Sequence, residues 1–288
     1  MRRSASYNLA GSLWMIASMA GFAVEDAFLK SAAAHVPPGQ VMASMGLTGA
    51  LAFAVLARAQ GQVAVPADLF RRTMLIRSGF ELTGRLFYTL AVALTPISTA
   101  SAILQATPLV VVGGAAVLFG EKVGWGRWAL IVAGFVGVLI IVRPGVAGFD
   151  ALSLLAVAGL IGFAGRDLAT RAAAPSLSMA QMGVAGFSVL ALSGIILLLH
   201  SGGAQMPDAR TAGQIAGATV IGTLAYGALT MAMRTGEVAS VTPFRYSRLL
   251  FAMALGVTLF GERPDTATLL GSGIIVACGL LLLGQSRR

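Results

Sequence analysis

The groups in this 288-residue chain best equipped for chemistry are ionisable side chains set at helical spacing inside apolar stretches. Arg77, Glu81 and Arg85 follow one another four residues apart, with Tyr88 about one turn further, so one helical face carries all four. Inside a bilayer an ionisable residue costs at least about 2.5 kcal/mol on insertion scales, so it needs a partner or a water-filled cavity. Two uses follow. The charges form a ladder that holds neighbouring helices together, or Glu81 and Arg85 face a cavity and offer a carboxylate and a guanidinium to a zwitterion. A second group, Arg245, Tyr246 and Arg248, comes directly after Pro243. Proline removes a backbone donor and frees a carbonyl, and interrupted helices of this kind build ligand sites within membranes. A guanidinium there can grip a carboxylate in bidentate fashion. The alternative is that Arg245 or Arg248 pairs with Glu81, Asp26 or Glu237 and never meets a ligand.

The elements that must carry these groups are membrane helices. The chain is 57% hydrophobic and 11% charged, whereas a soluble domain carries about 25% charged residues to wet its surface. A span needs about 20 mostly apolar residues. Such stretches fall at 7–30, 39–57, 73–94, 97–119, 125–142, 152–171, 177–199, 211–233, 238–260 and 266–284. Turn signals such as Pro37-Pro38-Gly39, Thr95-Pro96 and Gly261-Glu262-Arg263-Pro264 separate them. The fold class expected is an all-α integral membrane protein with ten transmembrane helices. Arg2 and Arg3 before an apolar stretch imitate a signal peptide, but Glu25, Asp26 and Lys30 interrupt that stretch, which reads as a first span. With a cytoplasmic N-terminus, the inner side receives Arg2, Arg3, Arg58, Arg71, Arg72, Lys122, Arg127, Arg171, Arg234, Arg287 and Arg288. The outer side receives Lys30, Arg143, Arg210 and Arg263, so the positive-inside rule places both termini in the cytoplasm.

Sliding the chain against itself reveals a gapless match at an offset of 141. Gly21-Phe22-Ala23 with Asp26 recurs as Gly162-Phe163-Ala164 with Asp167; Gln40 falls on Gln181; Leu118-Phe119-Gly120-Glu121-Lys122 recurs as Leu259-Phe260-Gly261-Glu262-Arg263. The chain therefore divides into a first five-helix repeat, 1–145, and a second, 146–288. An odd number of spans per repeat inverts the second copy, and inverted repeats are typical of secondary transporters with a midplane site between the halves. The offset also pairs Arg85 with Tyr226, Gln105 with Tyr246 and Phe22 with Phe163. The expected cavity lining is thus Phe22, Glu81, Arg85, Tyr88, Gln105, Phe163, Tyr226, Arg245, Tyr246 and Arg248, a mixture of aromatic faces and polar groups suited to an amphipathic small molecule. Phe22 and Phe163 read equally well as ordinary packing. Asp26 and Asp167 lie towards opposite ends of their helices, as gate or interface anchors. Glu121 and Glu262 read as turn and capping elements that brace each repeat. A small-residue stripe, Ala129, Ala133 and Gly137, suits close helix packing, with a homodimer contact as the weaker alternative.

Other classes find little support. The net charge of +9 sits mostly at helix ends, where it sets orientation, so no nucleic-acid partner is expected. Cys278 is the only cysteine, and His35 and His200 are far apart, so no metal set or cofactor is expected. There is no GxxxxGK[ST] nucleotide loop, no HExxH and no plausible nucleophile–base–acid set, which argues against an enzyme.

Several stretches together resemble the EamA-type repeat of the drug/metabolite transporter superfamily. They are Pro108-Leu109 through Gly120-Glu121, Gly126-Arg127-Trp128, Gly134-Phe135-Val136-Gly137-Val138, Arg143-Pro144-Gly145, Thr242-Pro243-Phe244-Arg245-Tyr246 and Phe260-Gly261-Glu262-Arg263-Pro264. One departure is that Pro108 and Pro243 are not equivalent under the offset. The resemblance implies a multi-pass protein of a bacterial-type inner membrane that exports small metabolites, aromatic and other neutral amino acids foremost, by alternating access. The alternatives are a channel or non-coupled facilitator, and an exporter of another amphipathic metabolite or drug. The partners expected are the small-molecule substrate and the lipid bilayer.

Overall fold

The structure is a computed structural model that describes residues 2–120, 123–143, 150–172, 177–235 and 242–285. The described residues form helices and turns, without strands. They are α1 (Arg2–Ala33), α2 (Pro38–Ala59), α3 (Arg72–Leu94), α4 (Ile97–Leu104), α5 (Thr107–Phe119) and α6 (Trp125–Val142), then α7 (Ser153–Ala172), α8 (Met179–Ser201), α9 (Ala209–Thr235), α10 (Ser247–Phe260) and α11 (Thr266–Gln285). Short 3-10 turns at Ala67–Phe70 and Thr242–Tyr246 precede α3 and α10.

Seven stretches are long and apolar enough to cross a bilayer: Leu9–Ala33, Pro38–Ala59, Ile97–Leu118, Trp125–Val142, Ser153–Thr170, Met179–Ser201 and Ala209–Ala232. The ten expected spans exceed this number at three places. α3 has 23 residues but carries Arg77, Glu81 and Arg85 at its centre. α10 has 14 residues, and the apolar stretch of α11 runs only over Thr266–Leu282. Large apolar side chains such as Val117, Leu118, Trp125 and Leu250 lie bare on the outside, as a hydrocarbon solvent permits.

The fourth expected span, 97–119, matches the apolar stretch Ile97–Leu118 but consists of two helices, α4 and α5. It breaks after Gln105, because Pro108 has no N–H to give the Leu104 carbonyl, and the Thr107 hydroxyl takes that acceptor instead at 2.5 Å. In the second half the 3-10 turn Thr242–Tyr246 gives way to α10 at the equivalent position, although Pro243 stands at a different place from Pro108. Gln105 and Tyr246, 141 residues apart, share φ −66° with ψ −12° and −16°. The helices that follow also end alike. Gly120 and Gly261 close α5 and α10 at φ 66° and 63°, a left-handed conformation that glycine adopts without a Cβ clash.

Helix packing follows the same register. The most extensive contacts are α1 with α9, α3 with α7, α2 with α8 and α6 with α11. Shifting by 141 turns the first pair into the second and maps each of the other pairs onto itself. Small residues let these backbones approach. A Cβ on Gly162 would meet the Gly84 nitrogen at 2.3 Å, and one on Gly21, its repeat equivalent, would meet the Ala225 Cβ at 2.8 Å. Gln40 and Gln181 tie loops to helices in matching ways: Gln40 exchanges hydrogen bonds with Gln205 (2.6 and 2.8 Å), and Gln181 donates to the Val63 carbonyl (2.9 Å). Gly137 of the small-residue stripe packs on Gly271 and Ile275 of α11.

Two expectations test this packing. A Cβ on Gly46 would lie 2.2 Å from the Ala191 nitrogen, so Gly46→Val is expected to destabilise the α2–α8 crossing by about 1–3 kcal/mol. Gly213→Ala, with open space around it, should leave the thermal unfolding midpoint of the purified protein unchanged or raised. Asp265 bonds the Arg143 guanidinium and accepts the Thr268 N–H at 2.8 Å, and these contacts hold its carboxyl down to about 2. The folded value lies below the ordinary one of about 4, so the contribution is intact above about pH 4 and is lost as pH falls through about 2. Amide exchange at Thr268 should therefore rise across that window, and Asp265→Asn should remove the pH dependence.

Candidate functional site

Where α1, α3 and α7 meet the turn before α10, ionisable groups gather in two clusters. In the first, Asp26 is buried, and its Oδ2 accepts from Arg248 at 2.6 Å and from the Tyr88 hydroxyl at 3.1 Å. The Tyr88 oxygen also lies 3.4 Å from Ser101 Oγ on α4. The Arg248 guanidinium stands 5.4 Å from the Phe22 ring and 5.5 Å from the Tyr88 ring, positions that suit cation–π attraction. Glu25, buried beside Asp26, is within Coulombic reach of Arg85 and Arg248. Arg85 Nε is buried and has no hydrogen-bond partner among the described residues.

In the second cluster Glu81 is almost wholly enclosed, and its Oε2 accepts from Arg77 at 2.8 Å. Arg77 Nε donates to Thr170 (2.9 Å). Arg166 approaches Glu81 Oε1 at 3.8 Å, pairs with Asp167 at 2.8 Å and lies 4.8 Å from the Phe163 ring. Tyr226 stacks edge-on against Phe53 and Phe187, with ring centroids 5.4 and 6.3 Å away, and Glu81 and Arg85 act on it electrostatically. Arg245 links the clusters, since Asp167, Arg166 and Arg248 all lie within its field.

The broken helices fix this assembly in space. Gln105 Nε2 donates to the Arg245 carbonyl at 3.1 Å, so the break in one half touches the break in the other. Tyr246, the repeat equivalent of Gln105, buries its hydroxyl against Gly279 without a hydrogen-bond partner among the described residues. Glu262 accepts from Ile97 N (2.7 Å), Ser98 N (3.1 Å) and Ser98 Oγ (2.7 Å), supplying the orphan donors at the start of α4. It thus caps a helix of the opposite half. Lys30 stands 3.9 Å from the same carboxylate. Glu121 and Glu237 lie outside the described residues.

Most residues expected from sequence thus come together, with different partners than their positions implied. The three charges of α3 divide: Arg77 and Glu81 pair, while Arg85 stays unpaired at Nε. Arg248 is taken by Asp26, and that carboxylate sits inside the first cluster as an anchor for Tyr88 and Arg248. Phe22 and Phe163 each carry a guanidinium over the ring. Three participants were missed: Arg166, Glu25 and Ser98. The signal for two of them existed, since Glu25 and Arg166 are repeat equivalents flanking the recurring Asp26 and Asp167. Among the described residues no group of His, Cys, Asp or Glu could hold a metal ion.

Compared with known families, the EamA-like transporter family model matches residues 9–143 and again 149–284. The chain belongs to the EamA-like transporter family. This EamA-like protein is 31% identical over 182 residues to a riboflavin transporter of Vibrio cholerae serotype O1, an alignment covering 63% of this chain and 60% of that protein. It is 26% identical over 210 residues to an S-adenosylmethionine uptake transporter of Rickettsia bellii, covering 71% and 70%. It is 25% identical over 293 residues to the pseudopaline exporter CntI of Pseudomonas aeruginosa, covering 96% and 97%. A crystal structure of a protein 20% identical superposes on 98% of this EamA-like chain and 99% of the other with a TM-score of 0.63, a likeness of fold.

The Asp26–Arg248 pair makes a direct test. Removing one partner of a buried pair leaves an uncompensated charge and typically costs about 3–5 kcal/mol. Asp26→Ala should lower the thermal midpoint sharply, and adding Arg248→Met should recover most of that loss. Equal instability in the double variant would mean that the two side chains are not coupled.

Proposed function

We propose that this EamA-like chain is a secondary transporter that carries a small metabolite bearing a carboxylate and an apolar side chain, aromatic and other neutral amino acids foremost, outward by alternating access. In this reading the two halves are inverted repeats around a pseudo-two-fold axis in the membrane plane, ten segments cross the inner membrane, and both termini are cytoplasmic. The recurrence of helix ends, helix breaks and helix pairings at one offset of 141 supports that symmetry. Two interrupted helices touching at Gln105 and Arg245 support a midplane site, because such breaks leave backbone and side-chain groups free for a ligand.

The observation that carries the reading is the charge balance of the buried clusters. Among the described residues five guanidinium groups (Arg77, Arg85, Arg166, Arg245, Arg248) share four carboxylates (Glu25, Asp26, Glu81, Asp167). A substrate carboxylate can pair with the guanidinium left over, while the ammonium of an amino acid keeps the net charge of the site unchanged. Arg85, whose Nε lacks a partner among the described residues, is the group placed to receive it. Phe22, Phe163, Tyr88 and Tyr226 provide aromatic faces for the apolar part. The named cargoes of the three relatives differ, and so does their direction, from uptake to export. Family membership therefore leaves the cargo to the site.

Reconstitution into proteoliposomes tests this. Aromatic amino acids should be transported saturably in a panel that also holds riboflavin and S-adenosylmethionine, with and without a pH gradient. Transport of no amino acid would overturn the substrate assignment. Arg85→Ala should raise the half-saturating concentration at least about tenfold, the equivalent of about 1.4 kcal/mol of lost binding. An unchanged value would remove Arg85 as the carboxylate receptor.

A further inference from the structure

A cavity of about 300 Å³ opens away from these clusters, between the end of α1, the end of α3, the start of α9 and the end of α10. That size admits a molecule like an amino-acid derivative. Its lining holds Lys30, His35, Arg210, Gln214 and Phe260 and no carboxylate. Two carboxylates, Glu262 and Asp208, stand just outside that lining and balance part of its charge. Lys30 is set in place by donating to the Val92 carbonyl at 3.1 Å and to the Thr95 carbonyl, with its ammonium 5.5 Å from the Phe260 ring. Glu262, 3.9 Å from Lys30, already accepts three hydrogen bonds at the start of α4. Asp208 acts electrostatically on His35 and Arg210, but its Oδ1 takes the Thr211 N–H at 2.7 Å to cap α9. Arg210 is exposed, and Gln214 Oε1 is buried without a partner among the described residues.

We infer that this cavity is a second binding site, for a small organic anion: a carboxylate or phosphate with a neighbouring N–H or O–H donor and an apolar group. The anionic end meets Arg210 and His35 at the mouth of the cavity. The donor satisfies Gln214 Oε1, which is otherwise buried without a partner among the described residues. The apolar part lies on Phe260. Lys30 follows Asp26 by four residues on α1, so the site adjoins the first cluster at about one helical turn, roughly 6 Å, along the helix axis. In a transporter it is a vestibule that collects the anion ahead of the midplane. That last role rests on the proposed function, whereas the anion site stands on its own lining.

Calorimetric titration of the full chain in phosphatidylcholine nanodiscs with N-acetyl-L-phenylalanine tests it, with L-phenylalaninamide as the cationic control. The acid should bind saturably and the amide should not. Arg210→Ala, at an exposed position, should weaken binding at least tenfold, and Gln214→Leu should weaken it as well, while Arg85→Ala leaves it intact. Discs containing phosphatidylglycerol separate the two sources of the anion. Displacement of the probe there assigns the natural occupant to a lipid headgroup, and an unchanged affinity assigns it to a free metabolite. No binding in phosphatidylcholine discs, equal binding of the amide, full affinity in Arg210→Ala or loss in Arg85→Ala would each overturn the site. Because the readout is equilibrium binding, failure of amino-acid transport leaves this result untouched.

Discussion

Everything in this structure answers to the cost of keeping charge away from water. Arg77, Glu81, Asp26, Arg166 and Arg248 sit among apolar helices, and each is held by an opposite charge, an aromatic face or a hydroxyl. Those partners come from different helices. Asp26 of α1 needs Tyr88 of α3 and Arg248 of α10, while Glu81 of α3 needs Arg166 of α7. The demand for neutralisation therefore dictates which helices must lie together. Glycine at the crossings makes the required closeness attainable, as at Gly84 and Gly162, where side chains would hold the backbones too far apart for these pairs to form.

Secondary structure and symmetry were legible because both depend on local pattern. Apolar stretches of span length mark most helices, and motifs that recur at a fixed offset need no three-dimensional knowledge to be seen. The repeat puts Gln105 and Tyr246 at one register position, but the interruption there is seen only in the structure. What escaped was partner choice. Nothing along the chain tells whether Arg248 meets Asp26 or Glu81, because the answer depends on how α10 crosses α1, a long-range matter of helix angle. The interruption inside the fourth span is hidden in the sequence for a local reason: Pro108 and Pro243 are out of register. Arg166 carries no recurring identity to mark it, because its register position holds Glu25 in the first half.

The two halves thus share a backbone plan but divide the chemistry between them. Glutamine stands at one break and tyrosine at the other, one using its amide to reach across and the other leaving its hydroxyl against Gly279. The cap on α4 is likewise supplied from the far half by Glu262. Stability and function are shared properties of the whole chain, since each half completes a helix or an ion pair of the other.

That division has an evolutionary edge. Glu25 of the first half occupies the register position that Arg166 holds in the second, and Gly222 occupies the position of Glu81. A dimer assembled from two copies of the first half would set Glu25 opposite Glu81, carboxylate against carboxylate, where the fused chain has Arg166 against Glu81. In a dimer built from two second halves, Arg166 would face Gly222 in place of Glu81 and keep only Asp167 as counter-ion. The halves thus differ where they meet, and each is complementary to the other rather than to a second copy of itself.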